Sequence, residues 1–394
     1  MSRWHYGVMH LRYQFRVYPT LGQQVALAKA FGCARVVFND ALRARQEAFE
    51  IGERISDAEL SKRLTEAKKT PERAWLAETS SVVLQQALAD LNAAYRNFFQ
   101  SIAGKRKGVK VALPKFRSRK DNRQSIRFTR NSKFVVTASG KLRLPKVGDV
   151  PVRWSRELPS EPSSVTVIKD AAGRYFASFV VQADDVPLPP SDSEVGVDLG
   201  LATFAVLSDG KTIASPRFLR RAERKLRKVQ KALSRKEKGS ANRAKARLKV
   251  AKVHARLADT RRDWAHKHST RIIRDNQAVF VEDLNVSALA RTRLAKSIRD
   301  ASWGMFIRML EEKSRRYGRT FGAVDRFFPS TRMCSACGAI GEKKPLHVRS
   351  WTCVCGAVHD RDLNAAKNIL AAGRADNPND CGVEVRPEPV PAHG

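Results

Sequence analysis

The feature that most constrains the fold of this chain is a cluster of four cysteines. A Cys-x-x-Cys pair, fifteen intervening residues and a Cys-x-Cys pair together span 22 residues. Two thiolate pairs at this separation can close a tetrahedral Zn²⁺ site, and a site with four cysteines has no open position for water, so one structural zinc ion is expected. The predicted ligands are Cys334, Cys337, Cys353 and Cys355.

Two details leave the ligand set open. The second pair is shorter than the usual Cys-x-x-Cys, and His347 or His359 could replace one cysteine. Gly338 and Gly356 each follow a pair and suit the tight turns that direct backbone N–H groups towards sulfur. The pattern therefore predicts a zinc ribbon whose second turn is unusual.

The remaining cysteines have no evident metal partner. Cys33 lies in an apolar helical pattern and is predicted to be a core residue, whereas Cys381 lies in a tail rich in Pro, Asp and Asn. No stretch of about 20 apolar residues could span a bilayer, and the first residues lack the apolar run of a signal peptide. These observations predict an intracellular protein, cytoplasmic and nucleoid-associated, with reduced thiols.

Three carboxylates occupy positions that are hard to explain by solvation alone. Asp198 interrupts the apolar strand pattern VGVDLG, Glu282 ends the apolar run VFVE, and Asp362 begins the last helical pattern. An acid in an apolar strand is costly unless it is paired or binds a cation. Brought together, the three could hold two Mg²⁺ or Mn²⁺ ions and hydrolyse a phosphodiester.

Each acid also has a structural explanation. Asp362 could be a helix N-cap, and Glu282 could pair with one of many basic neighbours. Asp360 is a serious rival to Asp362 as a metal ligand, while Asp283 and Asp300 are weaker candidates. The catalytic hypothesis therefore depends on the three acids meeting in space.

The order of periodic segments predicts the architecture. A strand over 9–18, a helical region over 20–103 and several short strand patterns between about 110 and 190 indicate a small barrel interrupted by a helical bundle. From residue 195 the order is strand, strand, helices, strand, helix, strand, helix, with Ser208-Asp209-Gly210 predicted as the turn of the first strand pair. This order favours an α/β domain of the ribonuclease H kind.

The charge of the chain predicts a polyanionic partner. It has 74 Lys and Arg against 39 Asp and Glu, a net charge of +35, and like charges in such excess repel unless phosphates neutralise them. One basic surface is expected on the helical stretch 217–274. A second is expected around the aromatic residues Phe116 and Phe128, whose rings could stack on bases. Candidate nucleic-acid contacts are Lys115, Arg117, Arg119, Lys120, Arg123, Gln124 and Arg332, with Arg127 and Arg130 in the same segment.

Several motifs, in this order, resemble those of the TnpB family, which is encoded by transposons and related to type V CRISPR effectors. They are YQFRVYPT at 13–20, GVDLG at 196–200, VEDL at 281–284, STRxCSxCG at 330–338 and DRDxNAAxNI at 360–369. The resemblance covers about residues 9–372. It implies an RNA-guided endonuclease that cuts double-stranded DNA beside a short flanking motif, with a guide RNA from the transposon end and Asp198, Glu282 and Asp362 as the RuvC acids.

The resemblance also implies a multidomain α/β fold and a monomer in the complex. A wedge β-barrel would hold a helical recognition insert and precede a RuvC-type nuclease domain with an inserted zinc ribbon. Two other functions stay open: a regulator that binds nucleic acid without cutting it, and a transposase that joins strands with the same acids. The expected boundaries are 1–19 and 109–190 for the barrel, 20–108 for the insert, 191–329 for the nuclease domain with a basic hairpin at 217–274, 330–358 for the ribbon, 359–373 for the last nuclease segment, and 374–394 for a disordered tail.

Overall fold

The computed structural model describes residues 9–106, 108–345 and 347–376, which form a mixed α/β structure. The chain divides into two compact units, the first comprising Met1–Asp184 and Arg247–Lys252, the second Asp185–Ala246 and Val253–Gly394. No helix in the described ranges is both long enough and apolar enough to cross a membrane.

The first unit contains a seven-stranded antiparallel sheet in the order β2-β6-β7-β1-β5-β4-β3. Its central pair, β1 and β7, is in register over nine residues, and alternate side chains such as Phe15 and Phe179 are buried. This alternation of buried and exposed positions is typical of a sheet with one packed face. The strands are β1 (Met9–Val17), β2 (Gln124–Thr129), β3 (Val135–Val136), β4 (Lys141–Leu144), β5 (Gly148–Arg153), β6 (Ser164–Lys169) and β7 (Tyr175–Ala183).

Helices follow β1 and share one core with this sheet. The first begins at Thr20, whose side chain accepts from the backbone of Gln23 while the Gln23 side chain accepts from the backbone of Thr20, a capping box. Cys33 is buried in it, as predicted. The helices are α1 (Leu21–Glu50), α2 (Asp57–Ala67) and α3 (Ser81–Ile102), with a short 3₁₀ helix at Ala74–Glu78.

The second unit contains a five-stranded mixed sheet in the order β10-β9-β8-β11-β12. β8, β9 and β10 are antiparallel neighbours, whereas β11 is parallel to both β8 and β12. The strands read as continuous apolar runs because residues on both faces of the central strands are buried. They are β8 (Glu194–Leu199), β9 (Thr203–Leu207), β10 (Thr212–Ala214), β11 (Ala278–Glu282) and β12 (Thr320–Val324).

The helices of this unit include the predicted basic hairpin, with its break near Gly239. The first hairpin helix begins at Arg217, which offers no side-chain cap; buried Asp300 accepts instead from the backbone N–H groups of Leu219 and Arg220 at 2.7 and 3.3 Å. Asp300 is therefore a helix cap and lies outside the carboxylate cluster. The helices are α4 (Phe218–Ser234), α5 (Ala241–Asp275), α6 (Val286–Leu289), α7 (Ala295–Ala301), α8 (Trp303–Arg316) and α9 (Arg361–Asp376).

Three sequence-based expectations about elements were wrong or incomplete. Ser208-Asp209-Gly210 forms a turn, but it leads from β9 to β10, a strand that the sequence pattern did not predict; it does not join β8 to β9. β5 was also missed, because Pro151 and Gly148 are poor strand formers. Residues 374–376, expected in the disordered tail, continue α9, while the rest of that tail with Cys381 lies outside the described residues.

Candidate carboxylate site and cysteine cluster

Asp198 lies near the carboxyl end of β8 and is partly buried. Burial raises the pKa of its carboxyl group from 3.8 to about 7, with the nearby acids Asp362 and Glu282 acting in the same direction and Arg361 and Arg349 opposing them. Asp362 and Glu282 are therefore close enough to Asp198 for their charges to act on it. A site of this charge favours either a proton or a cation.

Glu282 is the last residue of β11, beside Val324 of β12 in the parallel register. Burial, and then the adjacent Asp283, raise the pKa of Glu282 above its ordinary value. Asp283 itself forms an ion pair with Arg326. Since β8 and β11 are parallel neighbours, their carboxyl ends meet at one edge of the sheet, and this is what brings Glu282 to Asp198.

The start of α9 separates the roles of Asp360 and Asp362. Asp360 Oδ1 accepts from the backbone N–H of Leu363 at 2.9 Å and so caps the helix. Asp362 lies in the first turn and acts on Asp198. The N-cap explanation considered for Asp362 therefore belongs to Asp360.

Gly196 explains how α9 reaches the acids. A Cβ atom on Gly196 would lie 2.1 Å from the carbonyl oxygen of Ala366 and 2.5 Å from the backbone nitrogen of Leu370. The glycine in VGVD thus lets the backbone of α9 lie directly on β8, with Asp362 at the end that carries Asp198. The sequence pattern alone did not assign this role to Gly196.

We expect Gly196→Ala to destabilise the second unit by more than about 3 kcal/mol, because the new methyl group meets backbone atoms that cannot move aside. Thermal unfolding measures the effect. The matched control is Gly304→Ala in α8, where the nearest atom is 4.0 Å away and helix propensity favours alanine. An unchanged melting temperature for Gly196→Ala would contradict this packing.

The four predicted cysteines converge. Their Sγ atoms all lie within 4.8 Å of one another, with Cys334 3.8 Å from Cys355 and Cys337 3.7 Å from Cys353. Four Zn–S bonds near 2.3 Å place the corners of a tetrahedron about 3.8 Å apart, so these separations fit the ion. The shortened second pair is accommodated by a turn in which the N–H of Gly356 donates to the carbonyl of Cys353.

The cysteine cluster is attached to α9 and to the strand before it by polar contacts. His359 Nε2 lies 3.0 Å from Cys334 Sγ, so this histidine contacts a ligand of the cluster. Asn364 and Asn368 on α9 both donate to the carbonyl of Met333 at 2.7 Å. Two short strands complete this segment, β13 (Ser350–Thr352) and β14 (Val358–Asp360), and β14 leads directly into α9.

Arg349 is a site residue that the sequence did not reveal. Its Nη1 lies 3.1 Å from both carboxylate oxygens of Asp362, and its carbonyl accepts from the N–H of Arg361 at 2.7 Å. We searched the described residues for groups of three or more His, Cys, Asp or Glu side chains whose ligand atoms are close enough to share a metal ion. The four cysteines are the one such group. In the described structure the three acids do not form such a group, and Asp362 is paired with Arg349.

Comparisons with known proteins identify the family of this chain. Residues 178–293 match a family described as "Probable transposase", 303–369 match "Cas12f1-like, TNB domain", and 9–54 match "Helix-turn-helix domain". A Streptomyces pristinaespiralis protein named "Putative RNA-guided DNA endonuclease" is 47% identical over 95% of this chain and 92% of its own length. The chain belongs to the TnpB family.

Two further similarities accompany that match. InsQ of Escherichia coli K12, named in the same way, is 32% identical over 92% of this TnpB-family chain and 92% of its own length. The protein in a cryo-EM structure of a Cas12f1-sgRNA-target DNA complex shares the fold, with a TM-score of 0.55, 12% identity and coverage of 92% of this chain and 99% of that one. The 9–54 match corresponds here to β1 and the single continuous helix α1.

The structure divides the candidate nucleic-acid residues of this TnpB-family chain into two groups. Phe128 is 1% exposed and belongs to the core, so it cannot stack on bases. Arg117 packs over the ring of Phe38 at 3.8 Å and, with Arg127, pairs with Asp90, which gives both arginines a structural role. Exposed residues that stay candidates are Lys115, Phe116, Arg119, Lys120, Arg123 and Arg332; Gln124 is partly buried at the start of β2, and Arg130 pairs with Glu161.

Proposed function

We propose that this chain is an RNA-guided DNA endonuclease of a transposable element, which hydrolyses phosphodiester bonds of target DNA beside a short flanking motif. The observation that supports it is that Asp198 and Glu282 lie at the carboxyl ends of parallel neighbouring strands, with Asp362 near enough to affect the pKa of Asp198, in a chain with a net charge of +35. The names of the relatives from S. pristinaespiralis and E. coli support the same activity. Such a protein would act inside the cell, on the DNA of the nucleoid.

The proposed architecture follows from the two units. The sheet of β8–β12 with α9 packed on it would be the RuvC nuclease domain, and the segment around the cysteines its inserted zinc ribbon. The seven-stranded sheet with α1–α3 would be the wedge domain and its recognition insert. The boundaries expected from the sequence are proposed for these domains.

The carboxylates fit a divalent cation because each would supply an oxygen ligand, and the cation would offset their mutual repulsion. Bound Mg²⁺ or Mn²⁺ ions, two in number, would supply Lewis acidity and an activated water at the scissile phosphate. Asp198 and Glu282, fixed on adjacent strands, would hold the reacting groups in place. Asp362, carried by the first turn of α9, would complete the site.

The cysteine cluster fits one structural Zn²⁺ ion by its sulfur separations and by its closed set of four thiolates. Its role would be to hold the segment that carries Arg349 and to join it to α9. The ribbon would therefore position two side chains of the carboxylate site without taking part in the reaction.

The proposed partners are a guide RNA from the transposon end and double-stranded target DNA, bound by a single copy of the protein. Lysine and arginine side chains grip phosphates and carry little sequence information, so base pairing between guide and target would supply specificity. The Cas12f1 protein of similar fold was solved with a guide RNA and target DNA, which supports this pairing of partners.

We expect Arg349→Ala to lower the single-turnover cleavage rate roughly 100-fold, as loss of one fixed charged donor does elsewhere. Without the guanidinium, Asp362 loses its ion pair and the incoming phosphate loses a nearby cation. Arg349→Lys keeps the positive charge but not the two parallel N–H donors of arginine, so its cleavage rate should lie between those of wild type and Arg349→Ala. Lys343→Ala on the same segment is the control, and equal rates for Arg349→Ala and wild type would exclude this role.

The decisive experiment is cleavage by the full chain purified with the RNA that co-expresses from its own element. Mg²⁺-dependent double-strand breaks at sites that match the variable part of that RNA would support the proposal. Binding without breaks would favour the non-cleaving regulator, and end-joined products would favour the transposase. Sequencing of the co-purified RNA identifies the guide.

A further inference from the structure

An apolar recess lies beside the carboxyl end of β12, within the second unit. Its volume is about 450 Å³. The lining is mostly apolar but includes two acidic residues: Val324, Asp325, Phe327 and Phe328 from the strand side, and Ala372, Ala375 and Asp376 from α9. A recess with an aromatic ring on one side and methyl groups on the other suits a flat, apolar-faced ligand.

The backbone of this segment places Phe327 at the recess. The N–H of Phe327 donates to Asp325 Oδ1 at 2.7 Å, and the N–H of Phe328 donates to the Asp325 carbonyl at 3.0 Å. Phe328 packs against the small core that contains Phe280 and Val324, whereas Phe327 is 85% exposed. Phe328 thus anchors the turn, and the ring of Phe327 is presented to solvent.

The recess begins beside the carboxylate site. Val324 is in register with Glu282, and its carbonyl accepts from the N–H of Asp283 at 2.9 Å. Adjacent strands lie about 4.8 Å apart, so the first wall of the recess is one strand spacing from a proposed metal ligand. Arg326, the residue before Phe327, forms an ion pair with Asp283, the residue after Glu282.

We propose that the recess binds one unpaired nucleobase of the DNA strand whose phosphodiester lies at the carboxylates, stacked on Phe327. This inference rests on the proposed nuclease function. A strand that passes the acids carries a base at each phosphate, and Phe327 offers an exposed aromatic ring three residues after Val324, the register partner of Glu282. Inside a duplex the neighbouring bases cover both faces of a base, so the recess would take a base from an unpaired strand. Because every base has a stacking face, the recess is tolerant of sequence.

The test places 2-aminopurine, a base whose fluorescence is quenched by stacking, at successive positions around the cleavage site of the target. The DNA is loaded on the complex of full chain and guide RNA in the Asp198→Asn background, so loading is measured without cutting. We expect one position to be quenched with Phe327 and with Phe327→Trp, and to become bright with Phe327→Leu. In the cleaving protein, Phe327→Leu should slow single-turnover cleavage roughly tenfold at limiting DNA.

A second variant fills the recess from its other wall without changing Phe327. Ala375→Phe places a ring in the recess at an exposed helix position, and it should abolish the same quenching; Ala371→Phe, exposed on α9 but outside the recess, should leave it unchanged. Quenching that survives both Phe327→Leu and Ala375→Phe overturns the inference. If the wild-type complex cuts DNA and no position is quenched, base binding in the recess is contradicted and the nuclease function is not. A wild-type complex that never cuts DNA contradicts the nuclease function itself.

Discussion

Replacement of Asp198 by asparagine is expected to lower DNA cleavage by about a thousandfold or more, since it removes the central charge of the carboxylate site. Asparagine has nearly the same shape, so guide and target binding should change little. Cleavage and binding are measured on the same complex, by single-turnover product formation and by gel shift in Ca²⁺. Cleavage at the wild-type rate would show that Asp198 is not catalytic.

The same substitution should stabilise the metal-free protein, which separates a functional acid from a structural one. The pKa of Asp198 is raised by burial to about 7 in the folded chain, from 3.8. Its protonated form is therefore favoured on folding, and this contribution is fully present below about pH 4 and is lost as pH rises through about 7. At pH 8 the metal-free Asp198→Asn protein should be about 2–4 kcal/mol more stable than wild type.

Thermal unfolding at pH 5 and pH 8 with a chelator measures this difference. The stabilisation should shrink at pH 5, where wild-type Asp198 is largely protonated, and when Mg²⁺ is added to wild type. A loss of stability at pH 8 would show instead that Asp198 supports the fold.

Loss of the zinc ion is expected to have the second large effect. Cys334→Ser should remove the ion, which elemental analysis counts as about one per chain in wild type, and cleavage should fall by about 100-fold because Arg349 and the start of α9 lose their support. Cys334 is 1% exposed and contacts His359, the residue before the helix cap Asp360. The ribbon thus links the cluster directly to the helix turn that carries Asp362.

Cys33→Ala is the control for this substitution, because Cys33 is equally buried but lies in α1 among apolar side chains. It should retain zinc and cleavage at a modest cost in stability. If Cys334→Ser lost zinc but cut DNA at the wild-type rate, the ribbon would not position the carboxylate site.

The sequence by itself determined the chemistry of the sites. Two thiolate pairs within 22 residues specify a metal ligand set whatever surrounds them, and the structure brings all four sulfurs together as predicted. An acid inside an apolar strand is also recognisable from the sequence, because the free-energy cost of burying its charge depends on its immediate neighbours in the strand. Most helices and the longer strands also followed from periodicity, because amphipathic faces repeat along the chain.

Only the tertiary structure decided which acid faces which. Asp360 and Asp362 are two residues apart and look alike in sequence, but the capping of α9 assigns one to the helix end and the other to Asp198. Asp300 and Phe128 looked available for function, yet one caps α4 and the other fills the core.

The roles of Arg349 and Gly196 could not be predicted from the sequence, for a physical reason. Their roles depend on partners that are distant along the chain: Asp362 for the guanidinium, and the backbone of Ala366 and Leu370 for the glycine. A local pattern reports the energy of a residue in its own element, whereas contacts between elements depend on how α9 lies on β8. The sequence therefore determines which chemical groups this protein has, and the packing of its helices and strands determines which of those groups come together.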